Sequence, residues 1–299
     1  MKKFISIIVA VTAFTALSAQ QIPISESYFL DRYSFAPSYA GNFNSKFLFL
    51  GYRSDWSGIE GGPKTFRLSF NNSFMKNAGY GVKMIYDRAG IFDQLYALAS
   101  YSYRVNINED HKILFGISAG IYRNTLNISD YYSDPNYNLD PSLINQNVKS
   151  KLKFMSDASA VWKWNRLETG FMFTNISFGD AGYDEVDVTY KPLANFQIHA
   201  LYDFSVSEKL NLIPIVVVRG GKYIKSQYEI ATQILYQQKV WLSLAYRDPG
   251  IIGAGVGASI GKSLKISYNF NFASDVAMNV FNNHEINLGF NIFELAGKK

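Results

Sequence analysis

The chain has 299 residues, a formal net charge of +5, 18% charged and 16% aromatic residues, and no cysteine. Without cysteine there is no disulfide framework, no thiolate metal site and no cysteine for acylation; the charged fraction falls below the usual quarter for soluble proteins. The positive charges are dispersed and no basic run interleaves with aromatics, which argues against nucleic acid as a partner.

Met1 to Ala19 has the form of a secretory signal: Lys2 and Lys3, the apolar run Phe4 to Leu17, then Ser18-Ala19. The run is shorter than the roughly 20 apolar residues a spanning helix needs. No later segment is long and apolar enough to be such a helix, so membrane residence requires a closed barrel. The division expected is a signal peptide over 1–19, an N-terminal periplasmic or lumen segment over 20–44, and a barrel over 45–299.

From Lys46 onward the chain alternates. Thr65, Arg67, Ser69 and Asn71 oppose Phe66, Leu68 and Phe70; Gly81, Lys83 and Asp87 oppose Tyr80, Val82, Met84 and Tyr86. The same period of two sets Ser100, Ser102 and Arg104 against Tyr101 and Tyr103, and Gln227, Glu229 and Gln233 against Tyr228, Ile230 and Ile234. It runs without exception through Lys265 to Phe272 and closes with Glu285, Asn287, Gly289 and Asn291 against Ile286, Leu288, Phe290 and Ile292. One face is lipid-like and the other lumen-like.

This pattern gives about fourteen antiparallel strands, each near the length that crosses a bilayer when tilted. They start near Lys46, Lys64, Tyr80, Leu95, Lys112, Leu152, Leu167, Ala194, Leu210, Ser226, Val240, Ile251, Leu264 and Glu285. Every second connection is short, and the longer ones (Ser54 to Pro63, Thr125 to Ser150, Phe178 to Pro192, Ala273 to Asn283) fall in the other set together with three short ones near Ala89-Gly90, Gly220-Gly221 and Asp248 to Gly250, an imperfect form of the asymmetry of an outer-membrane barrel. An even count places both termini on the periplasmic side. Leu210 to Val218 departs from the pattern, being nearly all apolar and interrupted by Pro214, which cannot donate to a ladder. A soluble secreted sandwich would also alternate, but the lipid-like faces hold too many Tyr and Phe for one modest core.

Chemistry-bearing motifs are sparse. His111 reads as a turn residue, His199 as lumen-facing and His284 as a strand-entry residue, with no pair at metal-ligand spacing and no nucleophile elbow. Asp130, Asp134 and Asp140, and Asp184, Glu185 and Asp187, do not match the EF-hand pattern and read as solvated loops rather than a Ca²⁺ site. Gly79-Tyr80-Gly81 and the Gly253, Gly255, Gly257 run precede no helix, so they read as close-packing strand glycines. No enzyme activity, cofactor or metal is expected.

Ala36-Pro37-Ser38-Tyr39-Ala40-Gly41, then Tyr52-Arg53-Ser54-Asp55-Trp56, then Gly62-Pro63-Lys64-Thr65, resembles the N-terminal signature of the PorP/SprF family, outer-membrane proteins of the type IX secretion system in Bacteroidota. The likeness continues through Gly79-Tyr80-Gly81, Asp87 with Gly90, Tyr101-Ser102-Tyr103, Gly116 to Gly120, Trp241 to Arg247 and Asn283-His284-Glu285-Ile286.

The resemblance implies a non-enzymatic barrel that works with type IX secretion components. Its implied partner is an exported surface protein with a C-terminal sorting domain, in gliding members a large adhesin. Gln20 to Asn44 and the Arg53 to Pro63 loop are expected to occupy or gate the lumen, with Arg53, Asp55, Trp56, Gly62 and Pro63 as candidates for gating or partner contact. The plainer reading of those residues is an Arg53–Asp55 pair inside the barrel, Trp56 in the interfacial aromatic belt and Gly62-Pro63 setting a turn. A passive pore and an outer-membrane hydrolase are the alternative functions.

Overall fold

In a bilayer every backbone N–H and C=O must find a partner within the protein, so alternating segments with one greasy face are stable only as a closed ring. The computed structural model describes residues 24–43, 46–127, 147–178, 181–182, 189–190, 195–221, 224–273 and 282–296. The expected signal segment and both acidic loop groups lie outside the described residues.

Fourteen antiparallel strands close the ring: β1 (Phe47–Ser54), β2 (Lys64–Met75), β3 (Ala78–Ala89), β4 (Phe92–Asn106), β5 (His111–Asn127), β6 (Lys153–Trp164), β7 (Leu167–Phe178), β8 (Asn195–Tyr202), β9 (Leu210–Gly221), β10 (Ile224–Tyr236), β11 (Val240–Arg247), β12 (Ile251–Ile260), β13 (Leu264–Ala273) and β14 (Asn283–Asn291). Each pairs with its sequence neighbours. The seam is made by β1 against β14, from Phe47 opposite Asn291 to Ser54 opposite His284. The barrel expected from the alternation is therefore the fold observed, and the strand starts fall within three residues of those read from the sequence.

Side chains sort as the period of two requires. Phe66, Ile117, Tyr228 and Ile230 are exposed on the outer face, while Ser69, Asn71, Gln197, Glu229 and Glu285 are buried inside. The apolar β9 is no exception to the fold. Its inward Ile213, Ile215 and Val217 join Leu201 and Ala231 in a cluster with Tyr28 and Phe29 of the N-terminal segment, so this strand is apolar on both faces because both are covered. Pro214 sits where the ladder to β8 is interrupted, between Leu201 opposite Ile215 and the short extension Phe204–Ser207, whose Phe204 opposes Leu212. A missing donor is tolerated at such a break.

Short turns at 76–77, 107–110, 165–166, 208–209, 237–239 and 261–263 gather at one end of the barrel, and the long connections at the other. Of the connecting residues in the long-loop set, 55–63 are fully described. Asp55 N donates to Pro63 O at 2.8 Å and Ser57 N to Asn282 O at 2.9 Å, so this loop folds back against the entry to β14.

Replacing the outward, mid-strand Ile230 with Lys should destabilise the barrel by about 2–4 kcal/mol. Reversible urea unfolding in lipid vesicles measures this; an unchanged midpoint would mean that this face does not meet lipid.

Candidate functional site

Residues 24–43 lack the period of two, and they do not join the wall. They run through its interior as short helical turns, Ser27–Phe29, Arg32–Phe35 and Pro37–Tyr39, with Asp31 at the start of the second and Pro37 in the first turn of the third. Hydrogen bonds from this segment reach β1, β2, β4, β6, β7, β8, β10, β11, β13 and β14. A segment bonded to strands on every side of a ring lies inside it, and it is a plug.

The plug runs against the direction expected from strand parity. Glu26 lies level with Arg53, Arg247 and Glu285, which stand at the long-loop ends of β1, β11 and β14, whereas Gly41 N donates to Asn71 Oδ1 near the β2–β3 turn, at 2.9 Å. The even count places the ends of the wall on the short-turn side. It does not place Glu26 there, because the chain doubles back through the lumen before β1 begins.

The outer end of the plug is a latch of buried charges. Glu26 Oε1 accepts from Arg247 Nη2 and Asn271 Nδ2, both at 2.7 Å, and from Arg53 Nη1 at 3.3 Å. Arg247 Nε and Arg219 Nη1 each donate to Glu229 Oε2 at 2.8 Å, and Tyr28 OH donates to the other oxygen of Glu229 at 2.6 Å. Glu285 accepts from the Glu26 backbone N–H at 2.9 Å and from Ser25 Oγ at 2.6 Å, with Arg67 3.9 Å away. Arg53 completes the group by gripping both oxygens of Asp55 through Nε, at 2.8 and 3.0 Å. Arg53, Arg67, Arg219 and Arg247 thus face Glu26, Asp55, Glu229 and Glu285, so each guanidinium has a carboxylate to balance it. Balance is what makes such burial tolerable, since an unpaired charge in the same place would be strongly destabilising.

Below the latch, Asp31 accepts from Ser69 Oγ, and Tyr33 OH shares a hydrogen bond of 2.9 Å with Ser100 Oγ. Burial pushes the Asp31 carboxyl above its usual range, outweighing its bonds from Ser69 and Ser34. At the short-turn end Arg32 Nη1 and Tyr39 OH both donate to Glu168 Oε2, at 2.8 and 3.0 Å, and Tyr39 OH lies 3.0 Å from His199 Nε2. His199 is the lumen-facing residue expected. His111 opens β5 and stacks with Trp162 and Trp164, while His284 pairs with Tyr268 Oη through Nδ1 at 2.7 Å.

Three wall glycines make room for the plug; a Cβ on Gly79 would lie 2.3 Å from the Ala40 backbone oxygen. A Cβ on Gly81 would lie 2.4 Å from the Tyr33 ring, and one on Gly116 would lie 2.1 Å from the Ser38 backbone nitrogen. The close-packing reading of the Gly79-Tyr80-Gly81 motif thus acquires a partner, the plug itself.

Of the residues singled out in the sequence, Arg53 and Asp55 join the latch. Trp56, Gly62 and Pro63 instead shape the adjoining loop: Trp56 has a φ of 53° and donates its N–H to Asn283 Oδ1 at 3.2 Å, and Gly62 N donates to Ile59 O at 3.1 Å. Sequence reasoning did not single out Glu26, Tyr28, Arg219 or Glu229 as site residues. For the wall residues the available signal was an ionisable group on the lumen phase of a spanning strand; Glu26 and Tyr28 carry no periodic signal.

Residues 17–290 match the family model described as type IX secretion system membrane protein PorP/SprF. No curated relative matches the chain. Among solved structures, the barrel is similar to the TodX deltaS2S3 mutant monoaromatic hydrocarbon channel (TM-score 0.53, 10% identity, 89% of this chain and 92% of that one). It is also similar to the CymD monoaromatic hydrocarbon channel (0.51, 11%, 91% and 93%) and to the outer membrane protein Omp33 of Acinetobacter baumannii (0.50, 8%, 82% and 96%). At these identities the likeness is one of fold.

Three outcomes test the plug. In planar bilayers the native barrel should be closed and Gly116→Val should conduct, because the added side chain displaces Ser38; equal conductance of the two would remove the seal. Glu26→Ala, which strips Arg53 and Arg247 of a shared partner, should weaken docking by about 3–5 kcal/mol, read as faster proteolysis of the N-terminal segment. Because the Asp31 carboxyl is raised when docked, its own contribution to docking should be present below the ordinary carboxylate range and be lost as pH rises through the raised value. Asp31→Asn should flatten that dependence in the same proteolysis assay.

Proposed function

We propose that this chain, which belongs to the PorP/SprF family of type IX secretion system membrane proteins, retains at the cell surface an exported partner bearing a C-terminal sorting domain. The protein is an outer-membrane barrel, and family and fold together point to secretion or transport rather than to an enzyme. Membership implies interaction with secretion components.

The observation that carries the reading is the filled lumen. A barrel of this size sits between those that side chains fill and those that hold an aqueous channel, and here the plug bonds to the wall on all sides. A filled lumen does not suit a passive pore. It leaves the long-loop end, outermost by the usual asymmetry of such barrels, as the face for a partner.

In this reading the candidate residues divide their work. Arg53 and Asp55 couple the loop to the plug through Glu26, while Trp56, Gly62 and Pro63 give the loop the shape a partner meets. Trp56 is exposed on this loop, and it is the residue assigned here to contact. A gliding adhesin is one partner of the proposed kind, and gliding motility would then be a second process the barrel serves. The signal segment over 1–19 would direct export, with the barrel proper following the segment over 20–44.

The test is affinity purification of the C-terminally tagged protein from gently solubilised outer membranes, with mass spectrometry of what co-elutes. Recovery of a large surface protein with a C-terminal sorting domain, reduced several-fold by Trp56→Ala while the barrel stays assembled, is the expected result. A barrel that elutes alone would remove the proposal. Equal recovery from Trp56→Ala would remove Trp56 from the contact.

A further inference from the structure

The geometry points to a binding site for one aromatic ring with a neutral amide beside it, in the cavity left between the plug and the wall. The ligand is either a free aromatic amide or an aromatic residue within a peptide. The cavity measures about 150 Å³, the size at which an apolar-lined protein cavity takes up a benzene ring. Leu30 and Phe35 of the plug line it together with Phe49, Leu98 and Met172. It lies in the long-loop half of the barrel, because Arg67, Asp157, Thr174, Asn195 and Arg219 in its lining all stand in that half of their strands.

Its polar groups set the second part of the ligand. Gln197 is buried, and its Oε1 accepts from Arg219 Nε at 3.0 Å, which turns the amide nitrogen away from Arg219. That nitrogen, Nε2, is buried and has no hydrogen-bond partner among the described residues. Two residues earlier on the same face, Asn195 Oδ1 is also buried and has none among them. A buried donor or acceptor without a partner is a standing cost that a matching ligand group removes. The wall therefore offers one donor and one acceptor on side chains whose Cα atoms are roughly 7 Å apart, and an amide supplies the complement of both.

The charged groups in the lining are engaged by neighbours. Lys83 Nζ donates to Asp157 Oδ2 at 3.0 Å, Arg219 holds Glu229 at 2.8 Å, Arg67 lies 3.9 Å from Glu285, and Asp31 accepts from the Ser69 hydroxyl. A ligand carrying a net charge would have to compete with these neighbours, so the site favours a neutral group. Thr174, directly opposite Asn195 in the β7–β8 ladder, faces the same space.

The experiment uses the full chain in lipid nanodiscs, with empty nanodiscs as the blank, and follows N-acetyl-phenylalaninamide by calorimetry. Saturable binding is expected, about tenfold or more weaker for N-acetyl-alaninamide, which lacks the ring. Gln197→Leu should weaken N-acetyl-phenylalaninamide about fivefold and leave toluene, which has no amide, unchanged. Thr174→Phe should abolish both. A capped Ala-Ala-Phe-Ala-Ala peptide separates the sources: binding as tight as the free amide assigns the site to a residue in a chain, and binding of the free amide alone assigns it to a small molecule. Absence of saturable binding to the native barrel, or binding of N-acetyl-phenylalaninamide that neither variant alters, overturns the site. Retained heat-modifiable migration on electrophoresis shows that a variant is folded; should Thr174→Phe fail this, the Gln197→Leu comparison with toluene decides. No secretion apparatus enters the assay, so its outcome is independent of the proposed export role.

Discussion

Lipid on the outside leaves every polar side chain of the wall one direction in which to point. Inside the ring, the charges that arrive there are too crowded to keep full hydration, so each needs a partner of opposite sign or a bonded polar group. Glu26 answers this constraint for Arg53 and Arg247 at once, and Arg247 in turn links it to Glu229. The plug is thus held by electrostatic demand from the wall, and the wall's inward charges are accommodated because the plug is present. Neither part is electrostatically complete alone.

The plug is seated on two unlike surfaces. On the side of β8, β9 and β10 it presents Tyr28, Phe29 and Phe35 to Leu201, Ile213, Ile215 and Val217, a contact like the core of a soluble domain. Elsewhere it meets serines, asparagines and ion pairs around the rest of the ring. Apolar burial gives the docking strength without direction, and the hydrogen-bonded groups fix its height and rotation.

The wall was legible because its signal is local. A period of two is written in adjacent residues, and lipid rewards it in every strand, so Lys265 to Phe272 discloses its faces without knowledge of its neighbours. The plug was not legible for the opposite reason. Glu26 and Arg247 are separated by 221 positions, and nothing near either residue names the other. Pro214 and the apolar β9 mark the boundary between the two cases: they read as a weak strand until the plug supplies a second apolar surface for it to face. Arg53 and Asp55 were found through a family signature, and their neighbour Glu26, outside that signature, was missed.

The direction in which the plug runs also bears on the order in which the barrel can be built. Ser25, Glu26 and Ser27 bond to Glu285, and Ser27 to Asn287, both on the final strand, while Arg53 on the first strand bonds to Glu26 and Glu285 together. These are the two strands that meet at the seam. The earliest described residues therefore cannot complete their bonds until the last strand has arrived, which couples docking of the plug to closure of the ring. In the finished barrel β14 has partners on two sides, the edge of β1 and the buried serines and glutamate of the plug.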